Sequence, residues 1–416
     1  MKVAFDPALV PVLQSVGRAA AHAGERAWVV GGVVRDALLG RANKDVDITV
    51  EGDVPLLVEA LGREWEAELE QHGAFTTATL RRPDGLHVDI VRARSETYER
   101  PGALPTVTPD GIAADLRRRD FTVNAMAASI LPETFGDLVD PMGGAADLAG
   151  GFLRTLHPAS FIDDPTRLFR AARHAVRYNL TPDAETDESA RAAVRDGALE
   201  TVSTDRRRRE VEITCSEPCW AEMAEWLNRW AVWDALAGWR SHAMLLRHAD
   251  VVLAWARRHR LEPLPPTGHF RYMTLLAASG AALGGALSAR PAETQAVERA
   301  YRILETLKGP ETPDWRRAMD AETVAALLLA LTQVGTDGHK RRLTEYLTEV
   351  RTVRSSVTGA DLLAAGARPG PAVGAALRET LDAVRAGRVS GWEAELAFAL
   401  RVYHDWEARF TVPNIC

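Results

Sequence analysis

The chain contains few cysteines and no long apolar run. Its 416 residues include three cysteines, Cys215, Cys219 and Cys416, and neither a histidine nor a second cysteine pair lies near the first two. This spacing argues against a zinc site and a disulfide framework, and favours free thiols in a reducing cytoplasm. No stretch of about 18 apolar residues occurs, so the sequence predicts no membrane span. The first residues carry an early acid and a proline, which is unlike a signal peptide.

Lysine is also scarce, because nearly all of the basic residues are arginine. The four lysines are Lys2, Lys44, Lys308 and Lys340, and the formal net charge is −7. An acidic balance argues mildly against nucleic-acid binding unless the basic residues cluster on one face. Arginine can contact a phosphate through two nitrogens, although a GC-rich genome explains most of this bias. The length of the chain predicts two to four domains.

The stretch from residue 28 to residue 51 carries the strongest local pattern. An apolar run over 27–30 ends at Gly31 and Gly32, which predicts a buried strand entering a tight turn. A helical pattern over 33–39 follows, and Gly40 is placed to end it. Since neither glycine has a Cβ atom, a triphosphate could approach their backbone N–H groups at the start of this helix.

Two acids alternate with apolar residues directly after this helix. Strand side chains alternate in direction, so Asp45 and Asp47 are expected on one face while Val46 and Ile48 point to the other. Carboxylates held side by side repel each other, and a divalent cation is the usual way to keep both ionised. An isolated Asp-x-Asp pair is more often a solvated strand edge, whereas the whole combination of strand, glycines, helix and acids is far more specific.

Taken together, these motifs resemble the tRNA nucleotidyltransferases and the related bacterial poly(A) polymerases, which are polymerase-β-like nucleotidyltransferases. Further likenesses are Arg-Arg-Asp-Phe-Thr-Val-Asn-Ala at 118–125, Asp-Pro-Met-Gly-Gly-Ala-Ala-Asp-Leu at 140–148, Asp-Asp-Pro-Thr-Arg at 163–167 and a looser element at 203–211. The resemblance implies an α/β head of the polymerase-β-like type followed by an all-α neck, body and tail. The expected division is a catalytic head over 1–150, a neck over 151–211, a body over 212–310 and a tRNA-binding tail over 311–416.

The resemblance also implies roles for individual residues. It assigns the catalytic Mg²⁺ ions to Asp45 and Asp47, and it makes tRNA, CTP and ATP the expected partners. The nucleotide-binding residues that it implies are Gly31, Gly32, Arg35, Arg118, Arg119, Asp120, Asn124, Asp164, Arg167, Arg170 and Arg173. Within this set, Arg118 and Arg119 would meet the triphosphate, although an arginine triplet is usually a solvated face. Asp120 and Asn124, four residues apart on a predicted helix, would hold the sugar.

Asp89 and the segment that follows it allow two interpretations. A hairpin is predicted from strands over 76–81 and 86–91, and Asp89 lies between apolar neighbours in the second strand. It would be either a third catalytic carboxylate or the partner of an arginine such as Arg92. Residues 94–115 are predicted to form a long irregular loop. In the resembled family this loop reshapes the pocket between C and A addition, and here it looks short.

Asp164 and Arg167 form the predicted base-selecting pair. A carboxylate accepts from the exocyclic amine of cytosine or adenine, and a guanidinium donates to a ring nitrogen or carbonyl. Uracil and guanine lack an amine at that edge and would be rejected. The alternative is that Asp164, which precedes Pro165, caps a helix.

Addition of C and A nucleotides to tRNA 3′ ends is therefore the expected activity. The alternatives are a poly(A) polymerase, an enzyme adding CC or A alone, and a non-catalytic RNA-binding module. Because the segment after Asp89 is short and carries Pro101, Pro105 and Pro109, we expect CC addition with little or no terminal A. The tryptophans at 220, 226, 230, 233 and 239 are expected to pack in a helical core, with stacking on bases as the alternative.

Overall fold

The protein is described by a computed structural model that covers residues 1–43, 45–72, 77–97, 99–100, 102, 105–238 and 243–410. The chain divides into two compact units. The first comprises Met1–Ala243 with Ala281–Ala289, and the second comprises Met244–Gly280 with Arg290–Cys416. The finer division into head, neck, body and tail stays a prediction.

The first unit is built on a mixed sheet. In chain order the strands are β1 (Arg26–Val30), β2 (Asp45–Glu51), β3 (Glu68–His72), β4 (Thr77–Arg81), β5 (His87–Arg92), β6 (Arg94–Thr97), β7 (Thr106–Pro109), β8 (Ala127–Ser129), β9 (Leu138–Val139), β10 (Phe152–Leu153) and β11 (Thr181–Pro182). The described residues form a seven-stranded sheet in the order β3-β4-β5-β2-β1-β8-β9. Strands β2 and β5 run parallel, and the other neighbours within it are antiparallel.

Alternation along β2 separates the core from the polar face, as the sequence predicts. Val46, Ile48 and Val50 are buried, whereas Asp45 and Asp47 are exposed. The apolar side chains therefore anchor the strand while the acids remain open on its other face.

Helices surround this sheet and continue after it. Those of the first part of the chain are α1 (Val10–His22), α2 (Gly32–Leu38), α3 (Val54–Trp65), α4 (Ile112–Arg117), α5 (Gly144–Gly150), α6 (Ser160–Asp163), α7 (Arg167–Arg177), α8 (Ala184–Arg195), α9 (Thr204–Ser216), α10 (Trp220–Arg229) and α11 (Val232–Ala237), with 3-10 turns at Thr122–Asn124 and Ala198–Thr201. This arrangement confirms the predicted α/β head followed by helices. The predicted neck is not purely helical, because β10 and β11 pair in parallel within it.

Two local predictions need correction. Leu9, Leu13 and Val16 have helical spacing and predict a helix over residues 1–26, but the helix spans only Val10–His22 and Arg26 already belongs to β1. The predicted loop over 94–115 contains the antiparallel hairpin β6–β7 and the helix α4, since Thr106, Val107 and Thr108 suit a strand. Tyr98, Pro101, Ala103 and Leu104 of that segment lie outside the described residues, as do Lys44 and Thr76.

Further helices follow α11 in the described part of the chain. They are α12 (Ala243–Arg258), α13 (Thr267–Ser279), α14 (Ala281–Ala286), α15 (Pro291–Lys308), α16 (Pro313–Asp320), α17 (Val324–Gln333), α18 (Asp337–Glu345), α19 (Gly359–Ala364), α20 (Pro371–Arg385) and α21 (Trp392–Phe410), with a π-helical turn at Tyr346–Val350. Of these, α14 belongs to the first unit. Trp220, Trp230 and Trp233 are buried in the first unit, which favours core packing over base stacking; Trp226 is half-buried, and Trp239 lies outside the described residues.

The second unit has its own helical core. Helices α19, α20 and α21 pack around Leu362, Ala376 and Tyr403, and Thr358 caps α19 through the backbone N–H of Asp361. Among the described helices of the chain, none is long and apolar enough to cross a membrane.

Candidate active site

One cavity in the first unit collects side chains from the sheet and from the helices that follow it. Its volume is about 870 Å³. The predicted site residues that line it are Gly31, Gly32, Arg35, Asp45, Asp47, Asp89, Arg118, Arg119, Asp120, Asn124, Asp164, Arg167 and Arg170. Residues separated by more than a hundred positions thus share one polar chamber.

Three carboxylates occupy the sheet side of this cavity. The parallel register of β2 and β5 places Asp47 directly opposite Asp89, and Asp45 lies two residues before Asp47 on the same face. The Thr79 hydroxyl donates to Oδ1 of Asp89 at 2.6 Å. The described partner of Asp89 is therefore Thr79 and not Arg92, and its carboxylate remains beside the Asp45–Asp47 pair.

The electrostatics of Asp47 reflect this crowding. Although the Asp47 side chain keeps contact with solvent, the cavity walls around it reduce the solvation of its carboxyl and raise its pKa above the usual value, and the charges of Asp89 and Asp45 raise it further. Arg119 opposes the shift by stabilising the ionised form. A divalent cation would relieve the same repulsion more strongly.

The donor set fits a hard cation. Carboxylate oxygens are the ligands that Mg²⁺ prefers, and it usually takes only one or two of them, with water and substrate phosphates in the other positions. No group of three or more candidate ligands among the described residues is gathered tightly enough to hold a metal ion alone. Asp45 and Asp47 are the residues best placed to hold such an ion.

The glycine turn differs from its predicted use. Gly31 has φ of +66°, and its N–H donates to the carbonyl of Met126 at 2.9 Å. This N–H is therefore not free to bind a phosphate, which differs from the prediction. A Cβ atom on Gly31 would lie 2.7 Å from Nη1 of Arg119. Glycine is therefore needed here for the left-handed backbone and for the close approach of Arg119.

The two arginines at the end of α4 are held by acids that the sequence analysis missed. Arg118 donates to Asp115 Oδ1 from Nε and Nη2, at 2.9 and 2.7 Å, and to Glu96 Oε1 at 2.8 Å. Arg119 Nη2 donates to Asp115 Oδ2 at 3.0 Å, while its Nε has no partner among the described residues. The sequence could have predicted the Asp115 contacts, because Asp115 precedes these arginines by three and four residues, the spacing of ion pairs along a helix. Arg119 is thus fixed between the glycine turn and Asp47.

Arg35 and Asn124 belong to a buried network. Arg35 Nη1 donates to Asn124 Oδ1 at 2.6 Å, and its guanidinium lies over the Tyr178 ring, 3.9 Å from the centroid. Asn124 Nδ2 donates to Asp120 Oδ1 at 3.0 Å. Asp120 and Asn124 meet as predicted, but through a bend and a 3-10 turn instead of an α-helix. Their polar atoms bind one another, which suits a positioning role for the cavity wall.

Asp120 is held ionised by its partners. Burial alone would raise the pKa of Asp120, but the Arg170 charge and the hydrogen bonds from Asn124 and Arg170 outweigh it and hold the pKa well below its usual value. Arg170 Nε and Nη2 contact Asp120 Oδ2 at 2.8 and 2.7 Å. Arg173, by contrast, does not line the cavity. It donates to Glu210, which does line the cavity, at 2.6 Å, and its nucleotide-binding role stays a prediction.

His174 was not identified from the sequence, although it follows Arg170 by one helical turn. Its Nδ1 lies 2.7 Å from the carbonyl oxygen of Arg170, so Nδ1 must donate, and its Nε2 accepts from Asn124 Nδ2 at 2.9 Å. This pairing defines a neutral tautomer. Burial lowers the pKa of His174 to about 4, with Arg170 and Arg35 acting in the same direction against Asp120. The neutral imidazole therefore holds the Asn124 side chain in place by accepting its N–H.

Asp164 and Arg167 meet at the start of α7. Asp164 Oδ1 accepts from the backbone N–H and the hydroxyl of Thr166, at 3.1 and 2.7 Å, in a local turn before α7. The N-cap residue of α7 is Thr166, and no side chain among the described residues caps this helix. Arg167 is buried and donates to the Ser160 hydroxyl at 2.6 Å and to the Arg118 carbonyl at 3.0 Å. Asp164 and Arg167 both line the cavity.

Comparison with known proteins identifies the relatives of this chain. Residues 27–154 match the family described as the poly A polymerase head domain. The A-adding tRNA nucleotidyltransferase of Geobacter sulfurreducens is 31% identical over 94% of this chain, but this chain spans only 47% of that relative's length. The Thermotoga maritima CCA-adding enzyme, solved as a complex with tRNA, superposes with a TM-score of 0.77 and 26% identity over 95% of this chain and 96% of that one.

A further relative covers nearly the whole length of both proteins. The CC-adding tRNA nucleotidyltransferase of Deinococcus radiodurans is 35% identical to this chain, over 90% of this chain and 88% of its own length. The likeness thus extends well beyond the head that carries the carboxylates. The chain belongs to the tRNA nucleotidyltransferase family.

Proposed function

We propose that this protein adds C and A nucleotides to the 3′ end of tRNA without a nucleic-acid template, using CTP, ATP and Mg²⁺. The observation that carries this proposal is the single cavity in which the acids of β2 and β5 stand across from the polar start of α7. One wall suits metal-assisted phosphoryl chemistry, and the other suits the hydrogen-bonding edge of a base.

The chemistry at the sheet side follows from the acids. Nucleotidyltransferases of this family use divalent metal ions. Here Asp45 and Asp47 would hold Mg²⁺, which supplies stabilisation of both the attacking and the leaving oxygens of an in-line displacement at the α-phosphate. Asp89 adds a third negative group beside them, and Arg119 presents positive charge to the triphosphate.

Base selection is assigned to the start of α7. Asp164 would accept a hydrogen bond from the exocyclic amine of cytosine or adenine, and the buried Arg167 would donate to the same edge. Arg167 is held by Ser160 and the Arg118 carbonyl, so its guanidinium plane is fixed before the nucleotide arrives. Fixed donors and acceptors discriminate because a wrong base leaves them unpaired.

The proposed product of the reaction is a tRNA that ends in CC. The connection between β6 and β7 spans residues 98–105, and one relative is a CC-adding enzyme, which together favour an enzyme that adds CC and little terminal A. An A-adding enzyme is the second candidate, because another relative carries that activity. The intact Asp45 and Asp47 pair argues against a non-catalytic RNA-binding module. A cytoplasmic location stays a prediction.

The test is extension of a tRNA that ends before CCA. We expect CTP alone to add two residues in the presence of Mg²⁺, and the ladder resolved at single-nucleotide length identifies the product. A tRNA already ending in CC, supplied with ATP, tests A addition, and an unstructured RNA tests poly(A) polymerase activity. Asp84→Asn, in the turn between β4 and β5, is a matched acidic control for Asp45→Asn. Absence of any tRNA extension with either nucleotide would contradict the proposal.

A further inference from the structure

Arg206 connects three parts of the first unit that the proposed function uses separately. It lies in the first turn of α9, and its Nη2 donates to Asp164 Oδ1 at 2.9 Å. Its Nη1 donates to the carbonyl of Gly102, in the connection between β6 and β7, at 3.2 Å. One guanidinium therefore joins the neck helix, the base-selecting acid and the hairpin.

The contacts of Asp164 are strongly one-sided. Every hydrogen bond that the described residues make to its carboxylate ends on Oδ1: two from Thr166 and one from Arg206. Oδ2 accepts none of them. This arrangement fixes the plane of the carboxylate and keeps one oxygen for an incoming donor, which is the geometry that recognition of an exocyclic amine needs.

Gly102 ties the hairpin to the same place. Its N–H donates to the Asp163 carbonyl at 3.1 Å, one residue before the base-selecting acid. Its φ is +69°, and a Cβ atom here would lie 2.7 Å from the carbonyl oxygen of Thr201. A larger residue would thus have to move the backbone away from the neck, and the Gly102 carbonyl would leave Arg206.

We propose that Arg206 is a positioning residue that sets nucleotide selectivity by holding Asp164 in one orientation. The inference rests on the proposed function for the identity of the reaction. Uracil presents a carbonyl oxygen where cytosine presents an amine, so a fixed carboxylate repels UTP and accepts from CTP. Without Arg206 the Asp164 side chain can turn away, which weakens CTP binding and removes the penalty against UTP.

The experiment compares Arg206→Ala with the wild type and with Arg209→Ala. Arg209 is exposed on the same helix and does not line the cavity, so its loss removes equal charge without touching Asp164. The readout is the ratio of kcat/KM for CTP over UTP on a tRNA ending before CCA. We expect this ratio to fall about tenfold or more in Arg206→Ala, the scale of a lost base-edge contact, and to stay unchanged in Arg209→Ala. Arg206→Lys should fall in between, because lysine cannot reproduce two diverging N–H donors.

Two further variants separate positioning from a general loss of structure. In an Asp164→Ala background, adding Arg206→Ala should not change selectivity further, because both substitutions act through one carboxylate. Gly102→Ala should shift selectivity in the same direction as Arg206→Ala. Gly85→Ala is its control, since Gly85 also has a positive φ but a Cβ atom there would meet nothing within 4 Å.

Equilibrium binding of CTP and UTP in the presence of Mg²⁺ gives a readout that does not depend on tRNA extension. If the wild type prefers CTP and Arg206→Ala loses that preference while no tRNA is extended, the proposed function fails and the role of Arg206 stands. If Arg206→Ala lowers kcat for every nucleotide but keeps the CTP to UTP ratios of rate and of binding, Arg206 is a structural residue and the inference is overturned.

Discussion

Replacing His174 with phenylalanine is expected to reduce the fall in unfolding free energy that the protein shows as the pH drops below 6.5. The imidazole is enclosed between Phe121 and Tyr178, with ring centroids 5.4 and 5.6 Å away, and it accepts from Asn124. Phenylalanine keeps the aromatic contacts but cannot accept that hydrogen bond. At neutral pH the variant should therefore lose about 1–3 kcal/mol of unfolding free energy, the cost of leaving the buried Asn124 N–H unpaired.

The pH dependence follows from the lowered pKa of His174. Burial moves it from 6.5 to about 4, so the folded state favours the neutral form. The stabilisation that neutral His174 provides is complete above pH 6.5 and is lost as the pH falls towards 4, because the unfolded chain binds the proton first. A shift of this size corresponds to about 3 kcal/mol. The wild-type protein should lose this amount of unfolding free energy between pH 6.5 and pH 4, and His174→Phe should not.

Urea unfolding at several pH values between 7.5 and 4.5 measures both effects. The free-energy difference between wild type and His174→Phe should shrink as the pH falls, while His22→Phe, at the exposed end of α1, should follow the wild type. The His174 resonance, assigned by its absence in the variant, should titrate near pH 4 and show a protonated Nδ1 in its neutral form. Parallel pH profiles, or titration near 6.5, would refute the neutral buried imidazole.

Three further predictions concern the proposed chemistry. Asp45→Ala or Asp47→Ala should abolish nucleotide transfer while tRNA binding survives in a filter assay, and near-full activity in either variant would refute the assignment of Mg²⁺ to these residues. Asp47→Asn should also slightly raise the Tm of the metal-free protein, because the raised pKa of Asp47 means that the folded protein disfavours its charge. Asp164→Ala and Arg167→Ala should lose discrimination against UTP and GTP, and unchanged discrimination in both would make Asp164 a helix cap. Arg167→Ala should additionally lose about 1–3 kcal/mol of unfolding free energy, because the buried Ser160 hydroxyl and the Arg118 carbonyl lose their donor. Supplied with CTP and ATP together, the enzyme should stop after two cytidines, and complete conversion to the three-nucleotide product at a similar rate would contradict this.

The sequence by itself determined the features that depend on near neighbours. Alternation placed Asp45 and Asp47 on one strand face with Val46 and Ile48 opposite. Helical spacing placed Trp220, Trp230 and Trp233 in a core. The glycine turn and the β4–β5 hairpin were also predictable. Each of these follows from periods of two or 3.6 residues and from turn chemistry, which act over a few positions.

Tertiary structure decided which distant groups became partners. The parallel register of β2 and β5 set Asp89 beside Asp47 instead of pairing it with Arg92, and the backbone of Met126 took the N–H of Gly31. Helix α9 supplies Glu210 as the partner of Arg173, a pairing that joins positions 37 residues apart. Such choices depend on the summed packing and desolvation of segments far apart in the chain. Local periodicity carries no information about them, because it fixes the direction of a side chain and not the group that it meets.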